Sequence, residues 1–246
     1  MELNVRLAGI TIGIKSKYNY IAEPLKEFVT DELNISMKVV ADENDIDYEW
    51  FCFVKERLYS KSSFRKGLEP LLEKNAIFRK IVDKISDYSV LLIHGVVISN
   101  GKDAFLISAP SGIGKTTRAI KFISKNPDFY ILNGDKPLLR LEEDKVVACG
   151  SPWKGKEQYG INGETPLRAI LLLERSERTI LTELDFENAF TNMLEQVYLP
   201  DDKESAIKVL HLVNKLCKKV KIFKFESSPT ASSVMNAWNM ISKIEE

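Results

Sequence analysis

Hydrophobic and polar residues along the first third of the chain form short strand-like stretches and then a helical pattern. Val5–Ile14 and Ile35–Val40 mix the two kinds of residue over short distances, and the acidic run Asp42–Asp45 is typical of a turn. From Pro70 to Ile85 apolar residues recur at spacings of three and four, which predicts an amphipathic helix. The pattern changes near residue 88, so we predict a small N-terminal α+β module over residues 1–87.

Predicted strands and helices alternate in the remaining segment, residues 88–246. Leu91–Ile98 is a continuous apolar run typical of a buried strand, Asn100-Gly101 is a tight-turn signal, and Ala104–Ser108 predicts the returning strand. Further strands are predicted at Phe129–Leu132, Leu138–Leu141, Val146–Cys149, Arg168–Leu173 and Lys219–Phe225, and helices at Thr116–Ser124 and after Asp185, Asp201 and Ser228-Pro229. Because hairpins occur among the alternating elements, we predict an α/β domain with a mixed sheet.

The amino-acid composition excludes some classes of protein but does not indicate which reaction or ligand the protein has. The 246 residues can bury a core, and 35 basic residues balance 35 acidic ones, which argues against a broad nucleic-acid or membrane surface. The three cysteines form no Cys-x-x-Cys pair, so neither a zinc site nor a disulfide framework is expected. We find no long apolar run and no basic start of a signal peptide, and we therefore expect a cytoplasmic protein.

The segment with the most specific chemistry is Ser111-Gly112-Ile113-Gly114-Lys115-Thr116-Thr117, which lies between a predicted strand and a predicted helix. Its glycines let backbone N–H groups approach phosphate oxygens, and the start of the helix adds partial positive charge. Lys115 supplies a charge for the outer phosphates, and the Thr116 hydroxyl can bind magnesium. We predict that these seven residues bind ATP with Mg²⁺, although GTP remains an alternative.

One position in this loop departs from the usual pattern, because Ala109 stands where the first glycine is expected. Alanine fits there if its φ is negative, and Pro110 favours an extended conformation at the preceding residue. The alternative interpretation of the loop is a glycine-rich turn without a ligand.

Several motifs taken together resemble the HPr kinase and phosphoenolpyruvate-carboxykinase-like group, and most closely the small HPr-kinase-related proteins. They are Leu92-Ile93-His94-Gly95, the glycine loop, Leu132-Asn133-Gly134-Asp135-Lys136-Pro137 and Gly150-Ser151-Pro152-Trp153, and the resemblance covers about residues 88–240. It implies a mixed-sheet P-loop kinase core of the HPr kinase/carboxykinase type, with the N-terminal module attached.

The resemblance also implies roles for individual residues. Asp135 would hold Mg²⁺ together with Thr116, His94 would lie near the reacting phosphate, and Lys115 would contact the phosphates during transfer. The family usually has two adjacent acids where this chain has Gly134 and Asp135. The proton of the acceptor would then pass to His94, to Glu157 or to the substrate itself.

The activity implied is transfer of the γ-phosphoryl group to a hydroxyl of a protein, a peptide or a small molecule. The loop Gly150–Tyr159 differs from the HPr kinase signature, so HPr itself is not the expected acceptor. No nucleic acid or membrane partner is expected, and a homo-oligomer is left open. The alternative from another class is a nucleotide-binding sensor or scaffold without transfer activity, which Gly134 favours. A carboxykinase is disfavoured, because the chain is short and lacks the metal-binding lysine and histidine of those enzymes.

Each candidate residue also has a plainer interpretation. His94 could be a satisfied core residue, and Asp135 could be a turn former before Pro137. The loop with Lys154 and Lys156 could be solvated or could cover a ligand. Arg175 and Arg178 are typical of a solvated face, with charge stabilisation as the less favoured alternative, and His211 is interpreted as structural.

Overall fold

The computed structural model describes residues 1–56, 65 and 67–228, and the chain divides into two compact units. The first unit is Met1–Tyr88 and the second begins at Ser89, one residue beyond the boundary predicted from the sequence. The predicted helix after Ser228-Pro229 lies outside the described residues. Among the helices that the structure describes, none combines the length and the apolar character needed to cross a bilayer.

The first unit combines a small sheet with helices. Its elements are β1 (Glu2–Leu7), β2 (Ile10–Lys15), α1 (Ala22–Leu25), β3 (Met37–Val40), α2 (Glu43–Glu56) and α3 (Glu69–Ile85). Strand β2 is antiparallel to β1 and parallel to β3. The stretch 5–14 is therefore a hairpin and not one strand. Ala8 and Gly9 reverse the chain with φ of 47° and 81°, a turn that the apolar sequence did not indicate.

The acidic run at residues 42–45 is the start of helix α2, so its prediction as a turn was wrong. The Asp45 N–H donates to Asp42 Oδ1 at 3.0 Å, and the Asp42 N–H donates to Asp45 Oδ2 at 2.9 Å. This reciprocal pairing caps the first turn of a helix. Helix α3 is confirmed, and its buried Glu73 accepts from Ser16 Oγ and from the Lys17 N–H, both at 2.7 Å.

The second unit is built on a larger mixed sheet. Its elements are β4 (Val90–Leu92), β5 (Val96–Ser99), β6 (Ala104–Ser108), α4 (Lys115–Ile123), β7 (Tyr130–Asn133), β8 (Leu138–Leu141), β9 (Val146–Cys149), β10 (Glu164–Arg175), β11 (Ile180–Glu183), α5 (Phe186–Leu194), α6 (Lys203–Lys219) and β12 (Lys221–Ser227). The first residues of β10 pair with β9, and the rest of β10 lies between β6 and β12, parallel to both. Strand β11 was not predicted.

The sheet of the second unit is covered on both faces. Alternate residues of β5 point to opposite sides, so that Val97 packs in one apolar cluster while Val96 and Ile98 pack in another. The first cluster includes residues of α5 and α6, and the second includes Ala119 and Phe122 of α4. The predicted mixed α/β architecture is therefore observed.

The predicted strand Leu91–Ile98 is two strands, because β4 pairs with β8 whereas β5 pairs with β6 and β7. The chain changes direction between them at His94 and Gly95. A Cβ on Gly95 would lie 2.6 Å from Leu106 Cδ1 and 2.9 Å from the Ile107 carbonyl oxygen. Only glycine fits this close approach.

The helix caps agree with the sequence in one case and differ by a residue in the other. Asp185 caps α5 as predicted, with its side chain accepting from the Asn188 N–H. The cap of α6 is Asp202, which accepts from the Ser205 N–H at 2.8 Å, and not Asp201.

Candidate functional site

Neighbouring strands of the second unit bring distant parts of the sequence to one edge of the sheet. Strands β12, β10, β6 and β7 run in one direction, and β5 runs in the opposite one. The carboxyl ends of the first four strands therefore meet the amino end of β5. This edge carries His94 just before β5, the glycine loop after β6, and Asp135 just after β7. Open α/β sheets bind ligands beyond the carboxyl ends of their strands.

The glycine loop between β6 and α4 has the conformation that its sequence predicts. Gly112 and Gly114 have φ of 81° and 99°, in the left-handed region that favours glycine. Gly114 is the N-cap of α4, and within the described residues no side chain caps this end. Ala109 is buried and does not have a positive φ, so alanine fits in place of the first glycine. The loop thus presents a helix N-terminus that suits an anion.

Lys115, His94 and Asp135 form a cluster beside this loop. Lys115 is only 8% exposed, and its Nζ donates to the Ala109 carbonyl oxygen at 2.8 Å. The same Nζ lies 3.2 Å from His94 Nε2, which in turn lies 3.7 Å from Asp135 Oδ1. Three residues that the sequence singled out separately are therefore neighbours in space.

The surroundings of His94 favour its neutral form. Burial lowers the pKa of His94, and the Lys115 ammonium lowers it further, while Asp135 opposes both effects. Burial also lowers the pKa of Lys115, again with Asp135 opposing. A histidine whose pKa lies below its ordinary value is neutral at neutral pH and can accept a proton.

Lys136 is a member of the cluster that sequence reasoning missed. Its Nζ donates to Asp135 Oδ2 at 2.6 Å, and its charge contributes to the lowered pKa of both His94 and Lys115. The side chain of buried Asn133 fixes this turn, because its Oδ1 accepts from the N–H groups of Asp135 at 3.0 Å and Lys136 at 2.9 Å. A lysine directly after the predicted metal-binding acid was the available signal.

The backbone of His94 is held by two buried residues that the sequence did not indicate. The His94 N–H donates to the Gln196 carbonyl oxygen at 2.7 Å, and Ser108 Oγ donates to the His94 carbonyl oxygen at 2.6 Å. Ser108 Oγ also lies 3.1 Å from Gln196 Oε1. Since Ser108 is the last residue of β6, this contact ties His94 to the strand that carries the glycine loop.

The structure gives a physical reason for glycine at position 134. Gly134 does not have a positive φ, so conformational freedom is not the cause. A Cβ there would lie 3.0 Å from the Tyr159 carbonyl oxygen and 3.3 Å from that of Lys154. A Cβ on Gly155 would similarly lie 2.9 Å from Asp135 Cβ. The loop that follows Trp153 therefore packs against this strand end.

The remaining candidates have different positions. Arg175 lies at the site, because its Nη2 donates to the Gly112 carbonyl oxygen at 2.7 Å. Arg178 is exposed in the turn after β10, Glu157 is exposed in the loop after Trp153, and His211 is exposed on α6.

An open groove of about 650 Å³ runs beside the glycine loop and includes Thr117 and Arg175 in its lining. This volume is within the range of small-molecule sites.

A magnesium ion would have few protein ligands here. In the described part of the chain, no three His, Cys, Asp or Glu side chains are grouped so that they could hold a metal. Mg²⁺ is commonly bound by one or two protein groups together with phosphate oxygens and water, so this finding does not conflict with a nucleotide-bound ion. Of the two residues predicted for this role, Thr116 lies at the start of α4 and Asp135 faces His94 and Lys136.

These features define a mixed α/β protein with a glycine loop suited to an anion and a lysine–histidine–aspartate cluster beside it. No protein-family model matches the chain, and a search of curated proteins finds no significant match. The solved structure of the HPr(Ser) kinase/phosphatase from Coxiella burnetii matches with a TM-score of 0.31 and 12% identity, over 52% of this chain and 97% of that chain. This likeness is distant.

Replacing Lys136 with methionine should raise the pKa of His94. The change removes a nearby positive charge and frees the Asp135 carboxylate, and both effects favour the protonated imidazole. NMR titration of the metal-free protein can measure this, because the chain has only two histidines. Lys125→Met, a change at an exposed lysine after α4, should leave the pKa of His94 unaltered. An unchanged pKa in Lys136→Met would contradict the arrangement of this cluster.

Proposed function

We propose that this chain is an ATP- and Mg²⁺-dependent kinase that transfers the γ-phosphoryl group to a hydroxyl. The acceptor would be a serine of a protein or peptide, or a small molecule. The observation that carries the proposal is the convergence of Lys115, His94 and Asp135 at the N-terminus of α4. His94 Nε2 lies 3.2 Å from Lys115 Nζ and 3.7 Å from Asp135 Oδ1. Phosphoryl transfer depends mainly on positioning and on neutralising charge, and these residues supply both.

In the proposed reaction, each residue of the site has one task. The backbone N–H groups at the start of α4 bind phosphate oxygens, and Lys115 turns its ammonium from the Ala109 carbonyl toward the outer phosphates. Thr116 and Asp135 hold the magnesium ion, which neutralises charge on the phosphates when bound. Lys136 places a further positive charge next to Asp135.

The proton of the acceptor hydroxyl would pass to His94. Its lowered pKa keeps the imidazole neutral, and the contacts of Ser108 and Gln196 hold its backbone in place. Glu157 is exposed on the surface of its loop, which makes it a weaker candidate for this role. Because the transition state is loose, a single histidine in place of a carboxylate base is compatible with transfer.

A second function, a nucleotide-binding sensor or scaffold without transfer, is favoured by two specific observations. Asp135 Oδ2 is already paired with Lys136 Nζ at 2.6 Å, and the backbone of the following loop occupies the place of a second acid. An acid that remains paired with lysine holds magnesium weakly. The glycine loop and Lys115 would still bind the phosphates of a nucleotide in that case.

Incubation with Mg²⁺ and ATP labelled at the γ-phosphate distinguishes the two functions. The wild-type protein is tested against serine-containing peptides and small hydroxyl compounds, with Asp135→Asn as the matched inactive variant. We expect label in an acceptor hydroxyl for the wild type and far less for the variant. Nucleotide binding by calorimetry without transfer to any acceptor would support the sensor, and absence of binding would contradict both functions.

A further inference from the structure

Arg118 is a buried arginine on α4 whose side chain contacts the backbone of the glycine loop. It is 3% exposed, and its Nη1 donates to the Ile113 carbonyl oxygen at 2.9 Å. Its Nη2 donates to the carbonyl oxygen of Ser227, the last residue of β12, at 2.6 Å. Among the described residues Nε has no hydrogen-bond partner. A buried guanidinium with an unpaired donor is costly, so stability alone does not account for an arginine here.

Arg118 packs closely against the glycine loop at Gly114. A Cβ on Gly114 would lie 2.9 Å from Arg118 Nη1, so that a side chain at this position would displace the guanidinium. Gly114 therefore has two constraints, a left-handed φ of 99° and the adjacent arginine.

Arg175 makes a second contact of the same kind from a different strand. Its Nη2 donates to the Gly112 carbonyl oxygen at 2.7 Å. The parallel register explains why these groups meet. Arg175 pairs with Ser227 across β10 and β12, and Leu172 pairs with Ser108 across β10 and β6. The three strand ends consequently lie side by side next to the loop.

These contacts determine where the loop N–H groups point. In a trans peptide the carbonyl oxygen of one residue and the N–H of the next point in opposite directions. When Arg175 holds the Gly112 carbonyl, the Ile113 N–H faces away from Arg175. When Arg118 holds the Ile113 carbonyl, the Gly114 N–H faces away from Arg118.

We infer that Arg118 and Arg175 are positioning residues that turn the N–H groups of Ile113 and Gly114 toward a bound phosphate. This inference rests on the proposed nucleotide binding and adds a role for two residues outside the predicted motif. The guanidinium groups act through the loop backbone and need not touch the ligand. Arg118 in addition couples the loop to the end of β12.

The inference is tested with Arg118→Gln, Arg118→Lys and Arg175→Gln, with Arg140→Gln as the control. Arg140 is a partly buried arginine on β8, and among the described residues its ion-pair partners are Glu142 and Glu164. Two quantities are measured in each protein. One is the affinity for ATP·Mg and for inorganic tripolyphosphate, and the other is the ¹⁵N order parameter of the Ile113 and Gly114 amides without nucleotide.

We expect Arg118→Gln to lower the affinity for both ligands by about tenfold or more, since the variant loses charge-assisted contacts with two carbonyls. The loop order parameters should fall from about 0.85 toward about 0.6. Arg118→Lys should have an affinity between those of the wild type and Arg118→Gln, because one ammonium cannot reach the Ile113 and Ser227 carbonyls together. Arg175→Gln should show a smaller, severalfold loss, and Arg140→Gln should match the wild type.

A folded Arg118→Gln with unchanged affinity and unchanged order parameters would overturn the inference and leave Arg118 as a structural anchor of α4. If that variant does not fold, exposed Arg175 decides the question, because its replacement removes one hydrogen bond and an unchanged loop would overturn the inference. If the wild type binds neither ligand, the proposed function fails. The order parameters of the nucleotide-free variants still test the positioning in that case.

Discussion

Lys115→Ala should weaken ATP·Mg binding by about 1.5–3 kcal/mol, which is about ten- to over a hundredfold in affinity. The Lys115 ammonium is buried at the start of α4, and its present partners are the Ala109 carbonyl and His94 Nε2. A phosphate that replaces these partners gains a charge-assisted hydrogen bond in a partly dry environment. Calorimetric titration of both proteins measures the difference.

The matched control for this prediction is Lys125→Ala, at an exposed lysine just beyond the end of α4. It removes the same charge from the same part of the chain and should leave the affinity within about twofold, because an exposed charge contributes little to binding. Thermal unfolding of each variant verifies that the fold is retained. Equal affinity of Lys115→Ala and the wild type would disprove the site.

Asp135→Asn should abolish most transfer while leaving the fold stable. A bound magnesium ion contributes several kcal/mol to the transition state, and each 1.4 kcal/mol is about tenfold in rate, so we expect a loss of about 10²-fold or more. The backbone of Asp135 keeps its hydrogen bonds to Asn133 Oδ1 and to the Gly95 N–H. The lost contact is the half-exposed pair with Lys136, which contributes at most about 1 kcal/mol.

Rates of labelled-phosphate transfer and melting temperatures are measured for the wild type, Asp135→Asn and Asp144→Asn. Asp144 is exposed in the turn between β8 and β9, and its replacement should change neither quantity. An unfolded Asp135→Asn would indicate that the residue is mainly a turn former. A folded variant with a normal rate would exclude Asp135 as a metal ligand.

The departure at Gly134 shows how the structure revises an expectation from the sequence. The resemblance described in the sequence analysis would place an acid at this position. The Tyr159 and Lys154 carbonyls now explain the glycine, because a Cβ would lie within 3.0 and 3.3 Å of them. A side chain in Gly134→Asp would therefore require the backbone at Tyr159 and Lys154 to shift by a few tenths of an ångström.

Features set by neighbouring residues could be predicted from the sequence. The glycine loop, helix α3, the β8–β9 hairpin and the cap at Asp185 depend on spacings of a few residues and are found as expected. The errors arose where a local pattern fits two structures. An apolar run at 91–98 suits one strand as well as two, and an acidic run at 42–45 suits a turn as well as a helix cap.

The sequence by itself determined which chemical groups are available and that a glycine-rich loop precedes a helix. Only the tertiary structure decided which of these groups lie in contact with one another. Lys136 joins His94 and Lys115, and Arg118 reaches the Ser227 carbonyl 109 residues along the chain. These contacts depend on the order and register of β12, β10, β6, β5 and β7. That order results from packing both faces of the sheet against helices, and no local run of residues records it.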